Sequence, residues 1–390
     1  MAQTDQAGDD RTAGATGGTP VWDLGVRLFH WLLVTAVAVA AATGLLGSRT
    51  TLDVHLVAGG VIATLLAARI VWGFAGGTYA RFSSFVRGPR ALLAHVREIA
   101  ANRAPRHLGH NPLGGLMVLA LMLALILLAA TGLVLLGGWS KEGPIAPFAS
   151  FALGAAVRPL HEALAYGLLA LIACHVAGVA VESLRTRENL VRAMITGRKA
   201  GARAGHAAPP RTARPVLAWS MTLPLLAGAS WLVWHLSSRP PLGVPVGVLD
   251  ASYAAECGAC HTPHHPSLAP ARTWAGVMAG LDDHFGDNAS LGAELARTIS
   301  DYLAANAAER WDTAAANLLR RPATSEPLRI TATDGWQQAH RAIPSEAFKT
   351  KAVGGKVNCA RCHQDADRGR FALRAIAIPS SAQAASGGSS

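Results

Sequence analysis

Five apolar runs, each about 20 residues long, dominate the first two thirds of the chain, with polar or basic segments between them. A helix of that length crosses a hydrocarbon core of roughly 30 Å, so the pattern predicts membrane spans. The expected spans are 26–47, 54–75, 113–137, 159–182 and 215–236. Pro224 lies inside the fifth and is expected to bend that helix without ending it. Beyond position 240 the long apolar runs stop, and a separate domain is expected there.

Composition strengthens this picture. The 390 residues are 51% hydrophobic and only 15% charged, which is unusual for a soluble protein. A net charge of +11 suggests nucleic acid as a partner, but its distribution excludes that reading and points to a lipid bilayer. Basic residues number 20 against 10 acidic ones up to position 238, and 15 against 14 after it. Fourteen of those 20 fall in two loops, 81–106 and 185–214. Basic loops stay on the cytoplasmic side, which places the N-terminus inside and everything after the fifth span outside, in the periplasm.

Residues 1–20 are polar, contain Asp5, Asp9 and Asp10, and are expected to be a disordered tail rather than a cleaved signal peptide. A linker over 201–249 contains the fifth span and ends with Pro240, Pro241 and Pro245, and the segment 196–214 reads as a flexible connector. The exported domain is expected over 250–380, followed by a small polar tail over 381–390.

The five cysteines sharpen the reading. Four form two copies of one pattern, Cys257-Gly258-Ala259-Cys260-His261 and Cys359-Ala360-Arg361-Cys362-His363. This spacing marks covalent attachment of c-type haem: two thiols add to the vinyl groups, and the adjacent imidazole becomes an axial iron ligand. A structural zinc site is the rival. The two pairs stand about 100 residues apart instead of 15–20, and zinc gives no reason for a histidine after each pair. Cys174, in the fourth span, is expected to be an inert packed residue.

Each c-type iron takes a second axial ligand, usually Met or His. Met278 is the single methionine after the fifth span. His284 stands 23 residues after His261, and His340 stands 23 residues before His363, which makes these two the preferred distal ligands. His264 and His265 compete with His284 for the first site, although either would need a sharp chain reversal to reach it. The plainer reading of His284 and His340 is that they are exposed polar residues.

Histidines inside a bilayer are costly and mark function. His30 is expected at the inner end of the first span and His55 at the outer start of the second. His161 and His175 share one face of the fourth, 14 residues and so about 21 Å apart. Depth pairs His30 with His175 around an inner b-type haem and His55 with His161 around an outer one. Gly44, Gly59, Gly60, Gly132, Gly167 and Gly178 are expected to let backbones approach closely and so leave the packing room for a flat cofactor. His95, His107, His110 and His206 are read as surface residues and His235 as interfacial, while Arg69 either snorkels or pairs with a haem propionate.

These residues resemble known families. The segments Val21–Trp31 (VWDLGVRLFHW), Arg69–Phe74 (RIVWGF), Tyr79–Pro89 (YARFSSFVRGP), Gly109–Pro112 (GHNP) and Arg187–Arg198 (RENLVRAMITGR) resemble the bacterial cytochrome b561 family, close to the b-type subunit of nickel-iron hydrogenases. That resemblance covers about 20–200 and implies a four-helix core, two bis-histidine b haems at His30, His55, His161 and His175, and electron exchange with membrane quinone. The segments Glu256–His261 (ECGACH), Asp283–Gly286 (DHFG), Ile299–Leu303 (ISDYL) and Asn358–His363 (NCARCH) resemble the dihaem cytochrome c family, which implies two bis-histidine c haems. The His264–His265 pair departs from that family, which tends to carry an aromatic residue there.

The expected fold is therefore all-α: a transmembrane b561-type bundle with a fifth helix, then a mostly helical periplasmic dihaem domain. The expected function is electron transfer in the bacterial inner membrane, between the quinone pool and a soluble periplasmic donor or acceptor such as a small cytochrome c. The rival is a haem enzyme that reduces a small molecule at an open c-haem position. A haem-based sensor would carry a signalling domain, and the sequence shows none. A quinol oxidase would need a proton acceptor beside the quinone, and no acid inside a span stands out apart from Glu162 and Glu182 near the ends of the fourth.

Overall fold

The computed structural model describes residues 18–47, 51–199 and 212–386. Among them, five helices are long and apolar enough to cross a membrane: Leu24–Leu45, Leu52–Ala75, Pro112–Trp139, Phe151–Thr186 and Pro215–Ser237. Each coincides with an expected span, and the fifth runs through Pro224 without ending. The only strands among the described residues are a two-residue antiparallel pair, Thr19–Pro20 with Arg198–Lys199.

Local chemistry sets the helix ends. Asp23 caps the first spanning helix by accepting the Val26 N–H at 2.9 Å, which satisfies one of the orphan donors of the first turn. The same carboxylate accepts from Trp72 Nε1 at 3.1 Å and from the Gly77 N–H at 3.3 Å, tying the start of the first helix to the end of the second. Asp23→Ala is expected to cost about 1 kcal/mol from the cap alone. The check is the temperature at which the detergent-solubilised protein loses its b-haem absorbance, which should fall.

The fourth spanning helix begins eight residues before its expected start, at Phe151, and carries Pro159 in its interior. Two polar tails also need correction. The helix Ser380–Ser386 replaces the disordered segment expected there, with Ala382 buried beside Ala347 and Val353. At the other end, Thr19 and Pro20 are paired in the strand ladder, while 1–17 and 387–390 lie outside the described residues. Most of the connector expected over 196–214 also lies outside them.

The chain divides into two compact units, residues 1–129 with 162–229, and 130–161 with 230–390. In the first, Ala36, Ile62, Leu66, Met122, Ala124, Leu125 and Leu168 form a core to which each of the first four spanning helices contributes. Their outward faces stay apolar: Leu32, Val57, Leu123 and Val181 are all exposed, as helices in lipid require. A smaller cluster of Val21, Trp22, Val26, Ala80 and Ala193 closes one end.

The second unit contains the C-terminal domain, built from short helices. The longest, Ala293–Ala305, has 13 residues. Tyr253, Trp274, Ile299 and Leu303 form one core, and Leu268, Leu319 and Trp336 another. Small, divided cores of this kind need added cross-linking or a bound group to hold together.

Candidate haem sites

The two Cys-x-x-Cys-His motifs sit at helix ends. Cys257 is the last residue of the helix Ala251–Cys257, and Cys359 opens a short 3-10 turn whose carbonyl accepts the His363 N–H at 2.8 Å. None of the four cysteines is in a disulfide. Among the described residues no three His, Cys, Asp or Glu side chains converge as a zinc site would need. Burial pushes the Cys359 thiol up to about 11 and also raises those of Cys257 and Cys362, so these three stay protonated near neutral pH.

Each motif histidine faces a second ring. The His261 and His284 centroids lie 6.4 Å apart with planes at 15°, and those of His340 and His363 lie 6.1 Å apart at 72°. Two imidazoles sharing one iron are separated by twice the sum of a metal–nitrogen bond of about 2 Å and the roughly 1 Å from nitrogen to ring centre, hence about 6 Å. Both pairs match that span.

Hydrogen bonds set the tautomers. His261 Nδ1 bonds the Thr262 carbonyl at 2.8 Å and His340 Nδ1 bonds the Trp336 carbonyl at 2.9 Å. A carbonyl only accepts, so each Nδ1 carries the proton and each Nε2 keeps its lone pair for a metal. His340 is further held by stacking on Trp336, 4.3 Å away at 18°.

His265 has the opposite arrangement. Its Nδ1 accepts the Ser267 N–H at 3.2 Å, so the proton sits on Nε2, and the ring is buried against Gly369. His264 lies between the two motifs, its ring 5.1 Å from that of His261 and its Nδ1 4.0 Å from Cys359 Sγ. Burial lowers both residues to about 4, which keeps them neutral at physiological pH. His264 thus makes the two c-type sites immediate neighbours.

The spanning helices show the same logic. His55 Nδ1 bonds the Ala40 carbonyl at 3.0 Å, which leaves its Nε2 for a ligand, and His161 Nδ1 meets the Thr131 hydroxyl at 2.9 Å. His30 Nδ1 is buried without a hydrogen-bond partner, and His30 and His175 are electrostatic neighbours. Arg69 does not snorkel: it is 4% exposed, lies over the rings of Phe29 and Phe82, and its Nη1 has no partner. An orphaned buried guanidinium suits a carboxylate such as a haem propionate.

Two of the six span glycines lie against candidate ligands and four do not. A Cβ on Gly44 would meet the His55 ring at 3.0 Å, and one on Gly132 the His161 ring at 3.4 Å, whereas Gly59, Gly60, Gly167 and Gly178 face open space. They leave room beside the helices rather than bringing backbones together. The residues present therefore fit b-type and c-type haem.

Other readings change. His95 is 2% exposed, with Nδ1 3.4 Å from Glu98 and its ring 5.4 Å from that of His107. His110 is wedged between Trp22 and Phe85 at 4.8 and 5.0 Å, with Nδ1 buried. Neither is a surface residue, and His206 lies outside the described residues. His235 stacks on Trp231 at 5.2 Å and contacts Arg239. Cys174 is exposed on its helix rather than packed, and Glu182 is held bidentately by Arg185 at 2.8 and 2.9 Å.

A helical membrane bundle carrying half-buried histidines, joined to a domain with two thioether-attachment motifs, defines a membrane electron-transfer cytochrome with b-type and c-type haem. Residues 21–197 match the family model of prokaryotic cytochrome b561, and residues 253–371 match that of dihaem cytochrome c, to which the C-terminal part of the chain belongs. It is 27% identical over 231 residues to a probable Ni/Fe-hydrogenase B-type cytochrome subunit from Cupriavidus necator, covering 50% of this chain and 93% of that protein. Its C-terminal part is 34% identical to a dihaem cytochrome from Rhodobacter sphaeroides, covering 32% of this chain and 98% of that one, with a TM-score of 0.26. A dihaem cytochrome type c from Shewanella baltica is 33% identical, covering 33% and 93% respectively, with a TM-score of 0.28.

Proposed function

We propose that the protein passes electrons between membrane quinone and a soluble periplasmic carrier through four haems, two of b type and two of c type. The observation that supports this best is the pair of ring separations, 6.4 and 6.1 Å, each the width of one bis-histidine iron. His261 with His284 and His363 with His340 hold the c-type irons, and the four motif cysteines hold the porphyrins. His30 with His175 and His55 with His161 hold the b-type irons, paired by their depth along the helices. When bound, each haem supplies a one-electron ferric–ferrous couple.

The chain's own residues do the rest. Carbonyls of Ala40, Thr262 and Trp336 fix imidazole tautomers and raise ligand basicity. Arg69 holds a buried positive charge for a propionate. The basic loops keep the N-terminus cytoplasmic and the dihaem domain periplasmic, in the plasma membrane of a bacterium.

A pyridine haemochrome spectrum of the purified protein is expected to show b and c haem in equal amounts, two of each per chain. Carbon monoxide is expected to leave the reduced spectrum unchanged, because every iron has two protein ligands. A stoichiometric shift with carbon monoxide would favour the small-molecule reductase instead. The oxidised protein should also show two distinct low-spin c-type signals in electron paramagnetic resonance, since one ring pair is near parallel and the other near perpendicular.

A further inference from the structure

The second unit joins residues 130–161, which connect the third and fourth spanning helices, to the C-terminal domain. Asp312 lies at the centre of that junction. Its Oδ2 accepts from Lys141 Nζ at 2.6 Å and from the Phe151 N–H at 2.8 Å. Its Oδ1 accepts from Asn317 Nδ2 at 3.3 Å, and its own N–H donates to the Gly243 carbonyl at 2.7 Å. One residue therefore joins the loop before the fourth spanning helix and the first amide of that helix, through its carboxylate, to the linker after the fifth, through its backbone N–H.

The surroundings are built for this contact. The Lys141 side chain is 6% exposed and also donates to the Ala149 carbonyl at 3.0 Å, so without Asp312 a buried ammonium would lose its only carboxylate. Lys141 holds φ at 58°, a conformation that costs a non-glycine residue free energy and persists when contacts over-determine it. Gly243 has φ +63, and a Cβ there would approach Asp312 Cβ to 2.5 Å, so glycine is required for the linker to pass. The Leu242 N–H donates to the Ala146 carbonyl at 2.9 Å, and Arg374 pairs with Glu142 at 3.3 Å. Ser150 caps the fourth helix locally by accepting the Leu153 N–H at 3.2 Å, and Asp312, from 161 positions away, satisfies the Phe151 N–H that this cap leaves open.

Among the described residues, Asn317 is the only side chain of the C-terminal domain that hydrogen-bonds the Asp312 carboxylate, so most of its hydrogen bonds go outside its own domain. We infer that Asp312 and Lys141 form a latch that holds the dihaem domain on the loop preceding the fourth spanning helix. His161 lies ten residues, about 15 Å, along that helix from Phe151. Asp312 is thus a positioning residue for transfer between the b and c haems, which proceeds in a docked domain rather than by a swinging tether. This rests on the four-haem reading. One electron crosses at a time, the donor iron oxidised by one unit as the acceptor is reduced by one, with no bond or proton change.

The test uses the full chain in nanodiscs, with duroquinol as reductant in stopped flow and hydrogen exchange measured over 140–151 and 238–250. Asp312→Asn and Lys141→Ala are expected to keep haem content and c-haem spectra. Both should raise exchange in the two segments, slow c-haem reduction at least tenfold after the b haems are reduced, and make that phase dependent on viscosity. The charge reversal K141D/D312K should restore part of the rate. Unchanged exchange and an unchanged rate in Lys141→Ala, which lies outside the dihaem domain, would overturn the latch. Loss of the c-haem spectrum in Asp312→Asn without any effect of Lys141→Ala would overturn it too. If wild-type c haems take no electrons from duroquinol, the four-haem pathway fails, while the exchange data still decide the latch.

Discussion

Replacing either His30 or His175 by alanine is expected to remove the same b haem, halving the b-type absorbance while leaving c haem at its full amount. The two residues are electrostatic neighbours in the first unit, and His30 presents a buried Nδ1 without a partner, a cost that ligation of the ring would offset. An iron with one imidazole removed loses about half of its axial bonding, and a non-covalent haem held by the remaining imidazole and packing alone exchanges into detergent. His55→Ala and His161→Ala should each remove the other b haem. The double variant His30→Ala with His55→Ala should then contain no b haem, whereas His30→Ala with His175→Ala should keep one. Pyridine haemochrome spectra of these variants decide the pairing: any single variant with full b-haem content breaks it.

His284→Ala should convert one c-type centre from six ligands to five. The covalent thioethers retain the porphyrin, so c-haem content should not fall, but the reduced protein should bind one carbon monoxide per chain. His265→Ala should do neither, because the Nε2 of that ring carries its proton while Nδ1 accepts from Ser267. His340→Ala should repeat the His284 result at the second site. Absorbance titration with carbon monoxide reads all three, and one equivalent bound by the His265 variant would reverse the assignment of the first distal ligand.

Much of this was legible in the residues. Apolar runs of about 20 residues located all five long helices, because hydrocarbon admits few alternatives to a helix of that length. The Cys-x-x-Cys-His spacing identified c-type attachment locally, since thiols and proximal imidazole all come from five consecutive positions. The distal rings were harder. Equal 23-residue offsets pointed to His284 and His340, but offsets could not separate His284 from His264 or His265; the ring separation at His284 and the hydrogen bond on His265 support the proposal of His284.

Hydropathy misjudged the basic loops. In the helix Pro89–Ala100, Leu93, Val96 and Ile99 are exposed while His95 is buried. Water is not the only solvent of this chain, so polarity does not sort inside from outside there. His110 is covered by Trp22 and Phe85, which come from distant segments, and no local pattern announces such closure.

By itself, then, the order of residues determined the spans, the attachment motifs and the candidate iron ligands, because each depends on short-range spacing along one helix or one loop. Tertiary structure alone decided that the Ala40 carbonyl sets the His55 tautomer, and how the dihaem domain meets the loop at Lys141. Each of those depends on a hydrogen-bond partner that only folding brings near, as Asp312 reaches Phe151 across 161 positions.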